Sequence, residues 1–394
     1  MEDKYFSKEF SMKSKDLGKG ETFEGSSPPA IFIGSKLSYP KVNVGVLSST
    51  SLNPYSWIFN SPNHWTKEGM SISQIVDLRG HLINSRFQTR VSEVRKSRKN
   101  IRTIQELGMS SLQADVEVRV EKKPFGVMTF DKENLPLAKS AKLREFKILS
   151  NPKISQPVEK VYYDSHLKSS EALRYLYDKG YDEHALTQII SIGATGMAKN
   201  RKFVPTRNSI TAVDDNIGKY LLDRIKILET IDSYFVYFGG HLGNYYIILM
   251  TPDVFSYELF ELSLGDGGFV KGVSTDYESF SGRKEYASET AGGYYASRLS
   301  TIQKLYSMKK QASALVIRLT LPEYNIPLGV WVCRNSSRKS LESEPRVFST
   351  LEEALDYVRI FIVKHFKVNL GGIFSRSLLI KNSKYQSKLT KYFI

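Results

Sequence analysis

The stretch Tyr234-Phe235-Val236-Tyr237-Phe238-Gly239-Gly240-His241-Leu242-Gly243-Asn244-Tyr245-Tyr246-Ile247-Ile248-Leu249-Met250 decides the architecture. Two apolar, aromatic-rich runs, Tyr234–Phe238 and Tyr245–Met250, flank a glycine-rich centre, and that pattern predicts a β-hairpin. The centre lacks the lysine and Ser/Thr that follow in a phosphate-binding loop, so its glycines are read as turn-formers.

Working outward, strands and helices mingle without a clean alternation. Upstream, Ala30–Ile33 and Pro40–Val46 read as extended pieces, Asp115–Val120 and Val127–Phe130 as strands. A helix begins near Ser71, where Ser71 and Gln74 have capping-box spacing. Leu167–Tyr177 and His184–Ile192 form a helical pair broken at Gly180. Thr211–Leu228 places Asp214 and Asp215 early and Lys219, Arg224 and Lys226 late, the order that suits a helix dipole. Downstream, Tyr257–Gly272 has strand character, Ala287–Gln311 is helical, and Ala314–Leu321 and Leu328–Cys333 are predicted strands. Leu351–His365 carries a capping box at Thr350 and Glu353 with Leu351, Ala354, Leu355, Val358 and Ile362 along one face. The class is α+β, with mixed helices and mostly antiparallel strands. The expected division is a flexible leader over 1–26, a large N-terminal domain over 27–285, a smaller C-terminal domain over 286–380, and a flexible basic tail over 381–394.

The balance of 41% hydrophobic and 25% charged residues is that of a folded globular chain. A net charge of +15 points to a polyanionic partner. No apolar run approaches the roughly 20 residues of a membrane span, and the mixed charges of the first residues fit neither a secretory signal nor a transit peptide. The single cysteine, Cys333, excludes an internal disulfide and a cysteine-rich zinc site. The expectation is a soluble cytoplasmic protein, nucleoid-associated if its partner is DNA.

The richest polar run is Val204–Asp215. Thr206, Arg207, Asn208, Ser209 and Thr211 stand just ahead of a helix, where hydroxyls, backbone N–H groups and an arginine suit a phosphate. Asp214 and Asp215 could instead hold Mg²⁺ for phosphodiester chemistry, and the bland alternative is capping and dipole complementation. A second cluster, Asp276-Tyr277-Glu278 with Arg283, Lys284 and Glu289, reads as an ion-pair surface whose acids could complete a metal site. Between Arg86 and Arg102 lies the densest basic block; Arg95, Lys99 and Arg102 would track a DNA backbone if they share a helical face, and otherwise form a solvated surface. The six histidines are scattered, with no pair at metal-ligand spacing.

The final residues read Gln386-Ser387-Lys388-Leu389-Thr390-Lys391-Tyr392-Phe393-Ile394, and no acid follows Lys367. In one 3₁₀ turn, positions three apart eclipse, so Leu389, Tyr392 and Phe393 would form a three-pronged apolar plug for a hydrophobic groove. Gln386 would offer its amide to a polar pocket beside that groove. This is the clamp-binding (PIP) pattern, which arises by chance in a chain this long about one to two per cent of the time at average residue frequencies. The alternative is a last amphipathic turn packing on the chain's own core.

In combination, several segments resemble the archaeal Nre family, implicated in DNA repair: Ser27-Pro28-Pro29, Tyr39–Gly45, Asp115-Val116-Glu117, the whole Val204–Asp215 run, Ala291–Tyr295 and Pro327–Trp331. The resemblance spans roughly Ser27 to the end. It implies a protein of the DNA-damage response that binds the sliding clamp PCNA through a C-terminal PIP motif, which falls on Gln386, Leu389, Tyr392 and Phe393. Many relatives carry a cysteine-rich, zinc-finger-like segment near the N-terminus; Met1–Ser26 has no cysteine, so no zinc finger is expected here. The leading expectation is a repair protein recruited by the clamp, with a body that contacts DNA. A clamp-tethered, Mg-dependent nuclease-like enzyme and a regulatory adaptor without DNA contact are the competing readings.

Overall fold

The computed structural model describes residues 22–96 and 98–385. The described chain divides into two compact units, which part between Val213 and Asp214.

In the first unit the strands are β1 (Thr22–Ser27), β2 (Ala30–Gly34), β3 (Lys41–Ser48), β4 (Ile83–Arg90), β5 (Ala114–Val120) and β6 (Ser140–Ile148). Its helices are α1 (Pro62–Lys67), α2 (Ile72–Gly80), α3 (Lys99–Met109), α4 (Gln156–Tyr163), α5 (Ser169–Asp178) and α6 (Glu183–Ser191). The six strands make one sheet in the order β1-β5-β6-β4-β3-β2, antiparallel except where β4 meets β6. Ile31, Ile33, Val44 and Val46 share a buried face of that sheet, and α3 and α6 pack on β2. The capping box at Ser71 starts α2 as expected. Thr22–Ser26, read from sequence as leader, pairs with β5 instead; a short strand with few large apolar residues gives little periodicity to detect. Val127–Phe130 forms no strand. It belongs to a flap between β5 and β6 held by single bridges, Phe125 to Ser140 and Thr129 to Leu137.

The helix α7 (Thr206–Ile225) carries the chain from the first unit into the second. There follow β7 (Tyr234–His241), β8 (Asn244–Thr251), β9 (Tyr257–Leu264), β10 (Val270–Glu278), α8 (Ala291–Met308), β11 (Ser313–Thr320), α9 (Trp331–Leu341), β12 (Arg346–Phe348), α10 (Leu351–Phe366), α11 (Gly371–Arg376) and α12 (Leu378–Tyr385). The second sheet runs β10-β9-β11-β8-β7-β12, antiparallel except where β9 lies parallel to β11. The quoted hairpin is β7–β8, turning on Leu242 and Gly243, both at positive φ, as a two-residue primed turn requires.

One face of this sheet, with Leu249, Phe260, Leu262 and Ile317, is buried with Leu355, Val358 and Ile362 of α10, and with Phe374 and Leu379 beyond it. The other face meets α9: Ser340 and Ser336 donate to the carbonyls of Tyr246 and His241. A Cβ on Gly239 would lie 2.8 Å from Ser340 Cα, so a glycine in β7 is what lets the helix backbone approach. Two-sided burial explains why Tyr245–Met250 reads as an unbroken apolar run. Trp331–Cys333, expected as strand, opens α9; Gly329 at φ 101° redirects the chain just before it, and a short apolar run does not distinguish a buried helix from a strand. Cys333 is buried there, and burial raises its thiol pKa.

Candidate functional site

Each polar side chain of the Val204–Asp215 run has a defined place. Thr206, first in α7, accepts from the Ile33 backbone N–H through its Oγ1 at 3.0 Å. Arg207 forms a forked ion pair with Glu133 on the flap, at 2.7 Å and 3.0 Å. Ser209 is fully buried and its hydroxyl has no hydrogen-bond partner, while Thr211 is half-buried within the helix. These residues therefore fasten the start of α7 to strand and flap.

The two aspartates answer to separate cations. Asp214 is buried, and both its oxygens accept from Arg334 of α9, at 2.6–3.0 Å. Asp215 pairs with Lys219 at 2.6 Å and stands 4.0 Å from Arg298. Among the described residues, no three His, Cys, Asp or Glu side chains group so as to hold a metal ion. The Asp214 carboxylate is thus a buried counter-ion in the second unit, with Arg334 on the face that Mg²⁺ would need.

Asp215 also borders a 340 Å³ cavity that brings α7 together with the second sequence cluster. Glu278 holds Arg298 at 2.7 Å, both side chains buried. Burial disfavours the charge on Arg298, but Glu278 more than compensates and holds its pKa above the ordinary arginine value. Asp276 accepts from the backbone of Ser288, Glu289 and Thr290 at the start of α8 and from Arg283 at 2.9 Å. Burial alone would raise the Asp276 carboxyl, yet the Thr290 hydrogen bonds and Arg283 outweigh it and lower its pKa. Glu289 accepts from the Thr275 backbone N–H. The cluster is an ion-pair network that fixes the start of α8.

The basic block is split. Arg95 lies in a 3₁₀ turn over Val91–Lys96 and donates to the Arg201 carbonyl, whereas Lys99 and Arg102 are exposed on the first turn of α3. The three do not share one helical face. Glu93 takes Lys96 and Arg98 as ion-pair partners. Gln386, Leu389, Tyr392 and Phe393 lie outside the described residues. What precedes them is described: Glu258, buried in β9, accepts from Ser377 Oγ and from the backbone N–H groups of Leu378 and Leu379, seating the start of α12 on the sheet. No sequence pattern announced that anchor. No helix among the described residues is long and apolar enough to cross a membrane.

Sequence reasoning missed a cleft in the first unit. A 450 Å³ cavity lies between the flap and the sheet face formed by Phe32, Asn43, Gly45, Asn84 and Arg86. Its signal, a run of Phe125, Val127 and Phe130 left largely exposed, is invisible until burial is known.

No solved structure matches the chain. A DNA repair protein NreB of Archaeoglobus fulgidus is 35% identical over 92% of this chain and 90% of its own length. A DNA repair protein NreA from the same organism is 36% identical over 84% and 82%. One from Haloferax volcanii is 32% identical over 88% and 84%. The family described as archaeal Nre, N-terminal, matches residues 4–267, and archaeal Nre, C-terminal, matches 278–392. With both parts matched and relatives similar over most of their length, the chain belongs to the archaeal Nre family.

Proposed function

We propose that this Nre protein acts in DNA repair, recruited to DNA by the sliding clamp through Gln386, Leu389, Tyr392 and Phe393, with a body that contacts nucleic acid. The observation that carries the reading is the spacing of those four residues, which suits a 3₁₀ plug in an apolar groove. Two further features support it. The relatives are named DNA repair proteins, and Glu258 seats the start of α12, the last described helix before the motif in sequence. The net charge of +15 favours encounter with an acidic clamp surface and with phosphates.

Calorimetric titration of the full chain against its cognate clamp, beside a Tyr392→Ala/Phe393→Ala variant, tests the recruitment. Binding that falls at least about ten-fold in the variant supports it, because two aromatic anchors dominate such a plug. Equal binding by both proteins overturns it. Contact by the body is a separate matter. Retention of the same variant on duplex DNA should fall steeply with salt if phosphates are contacted, and salt-insensitive retention would favour an adaptor.

A further inference from the structure

The flap from Phe125 to Ala138 covers the polar face of the first sheet. Gly45 pairs with Arg86 across β3–β4, and Phe32 pairs with Gly45 across β2–β3, so these residues look the same way, as does Asn84, two positions before Arg86. The opposite face carries the apolar core, so this one was not built to be filled by it. The flap is fastened at two points away from the cavity and braced by its own backbone at a third. Arg207 holds Glu133, Arg79 donates to the Pro136 carbonyl at 2.8 Å, and Asp131 accepts from the backbone of Glu133 and Asn134. A held flap over a polar face defines a site.

What lines it is specific. Asn84 is 4% exposed and Asn134 7%, and the Oδ1 of each has no hydrogen-bond partner. A buried amide oxygen left unpaired costs on the order of 1–3 kcal/mol, and both belong to residues that line this one cavity, where a small side-chain turn would bring in an outside partner. Gly45 makes the first of them possible: a Cβ there would come within 1.9 Å of Asn84 Oδ1. The same cavity is lined by aromatic residues left open to solvent, Phe125 at 66% and Phe130 at 40% exposure. Arg86 and Lys36 stand at the same cavity with no acidic partner among the described residues. The one carboxylate at the cavity, Asp131, is engaged by the flap's own backbone.

We infer that this cleft binds a nucleotide, its base stacked on the flap phenyl rings, its edge hydrogen-bonded by Asn84 and Asn134, and its phosphate met by Arg86 or Lys36. Amide side chains pair with base edges, phenyl rings stack on any base, and a guanidinium or ammonium beside them suits phosphate. An apolar ligand would leave the two amides unpaired, and a bare phosphate would leave the rings unused. A cavity of 450 Å³ is of the size that takes one small ligand. Such a nucleotide has two sources, a free nucleotide or one unstacked from a DNA strand as base-extruding proteins do. The strand source deepens the DNA-contact reading above and rests on it; the free source does not.

The test uses the full chain, wild type, Phe125→Ala and Asn84→Ala. Each is titrated with a labelled twelve-nucleotide single strand of mixed sequence, a duplex of the same sequence, and the four deoxynucleoside monophosphates. Phe125 is exposed, so its replacement leaves folding intact, and a thermal melt confirms that for Asn84→Ala. Loss of about ten-fold in single-strand affinity in both variants, with duplex affinity unchanged, supports the inference with the strand as source. Monophosphate binding that the same variants weaken, with no effect on either DNA, supports it with the free nucleotide as source. Equal single-strand binding by all three proteins, and no monophosphate binding, overturns the inference while leaving DNA contact by the body standing. Absence of binding to every probe by the wild type overturns both.

Discussion

Two sets of buried polar groups, the charged groups of the second unit and two amides of the first, are treated in opposite ways. In the second, each buried charge named above is matched: Asp214 with Arg334, Glu278 with Arg298, Glu258 with three donors at the start of α12. In the first, two buried amides on residues that line one cavity have nothing bonded to their oxygens, and the flap at that cavity carries aromatic residues open to water. Matched groups hold elements in place, since removing either partner strands the other in a low dielectric. Unmatched groups cost stability and persist where a ligand completes them. The difference separates polar residues that build the fold from those that await a partner. It also sets Asp214, already engaged by Arg334, apart from the open amides.

The comparison breaks most severely at Asp214–Arg334. Arg334→Leu leaves the Asp214 carboxylate buried without its forked partner and should lower the unfolding free energy by about 3–5 kcal/mol in a denaturant titration. The double variant with Asp214→Leu should recover much of that loss, because no charge is then stranded. A single variant as stable as wild type would show that the pair is not what joins α7 to α9.

Glu258 comes next. Glu258→Ala orphans the Ser377 hydroxyl and two backbone N–H groups and should cost about 2–3 kcal/mol. The sharper readout is local: hydrogen exchange across Leu378–Tyr385 should accelerate far more than across β9 itself. If clamp affinity also falls, the seat of α12 matters to presentation of the motif. If it holds while exchange rises, the motif binds independently of its anchor.

His241 is one of the buried polar groups of the second unit that lack a partner. It is 9% exposed, its Nε2 has no partner, and burial together with the charge of Lys339 lowers its pKa to about 4. The imidazole is therefore neutral in the fold, whereas the unfolded chain protonates it near 6.5. Its contribution is fully present above that value and is lost as pH falls from about 6.5 towards 4, since the unfolded state takes up the proton first. His241→Gln should lack this dependence, so the stability gap between the two proteins should narrow or reverse across that window. Parallel curves would mean that the ring is protonated in the fold.

How much of this was legible beforehand follows from where the information lies. Capping boxes at Ser71 and Thr350, the existence of the β7–β8 hairpin and the apolar stripe of α10 are written locally, in spacing and turn chemistry, and agree with the structure. Gly239 and Gly240, however, read as turn-formers, belong to β7, and the turn is only Leu242–Gly243. The strand β1 and the helix at Trp331 were not legible locally, because pairing partners and two-sided burial are set by residues far along the chain. The site behaved likewise. Polar density drew attention to Val204–Asp215, yet density does not tell a matched charge from an open one. Phe125, Asn84 and Gly45 are ordinary residues in sequence, and they become informative only when Gly45 is seen to make room for Asn84 and the flap to leave Phe125 uncovered.

That last pairing gives the smallest effect and the finest test of the comparison. Gly45→Ala drives a Cβ into the Asn84 amide and should cost about 1–3 kcal/mol, the usual penalty for overpacking. Asn84→Ala removes a polar oxygen that has no partner, so its own effect should stay within about 1 kcal/mol and could be stabilising. If the amide is held against Gly45 as described, the two changes couple: in the Asn84→Ala background, alanine at 45 should become nearly free, with an interaction energy of about 1 kcal/mol or more. Additive effects would mean that the amide does not sit against Gly45. A coupled pair in which Asn84→Ala raises stability and abolishes nucleotide binding would be the reverse of Arg334→Leu, where stability is what is lost.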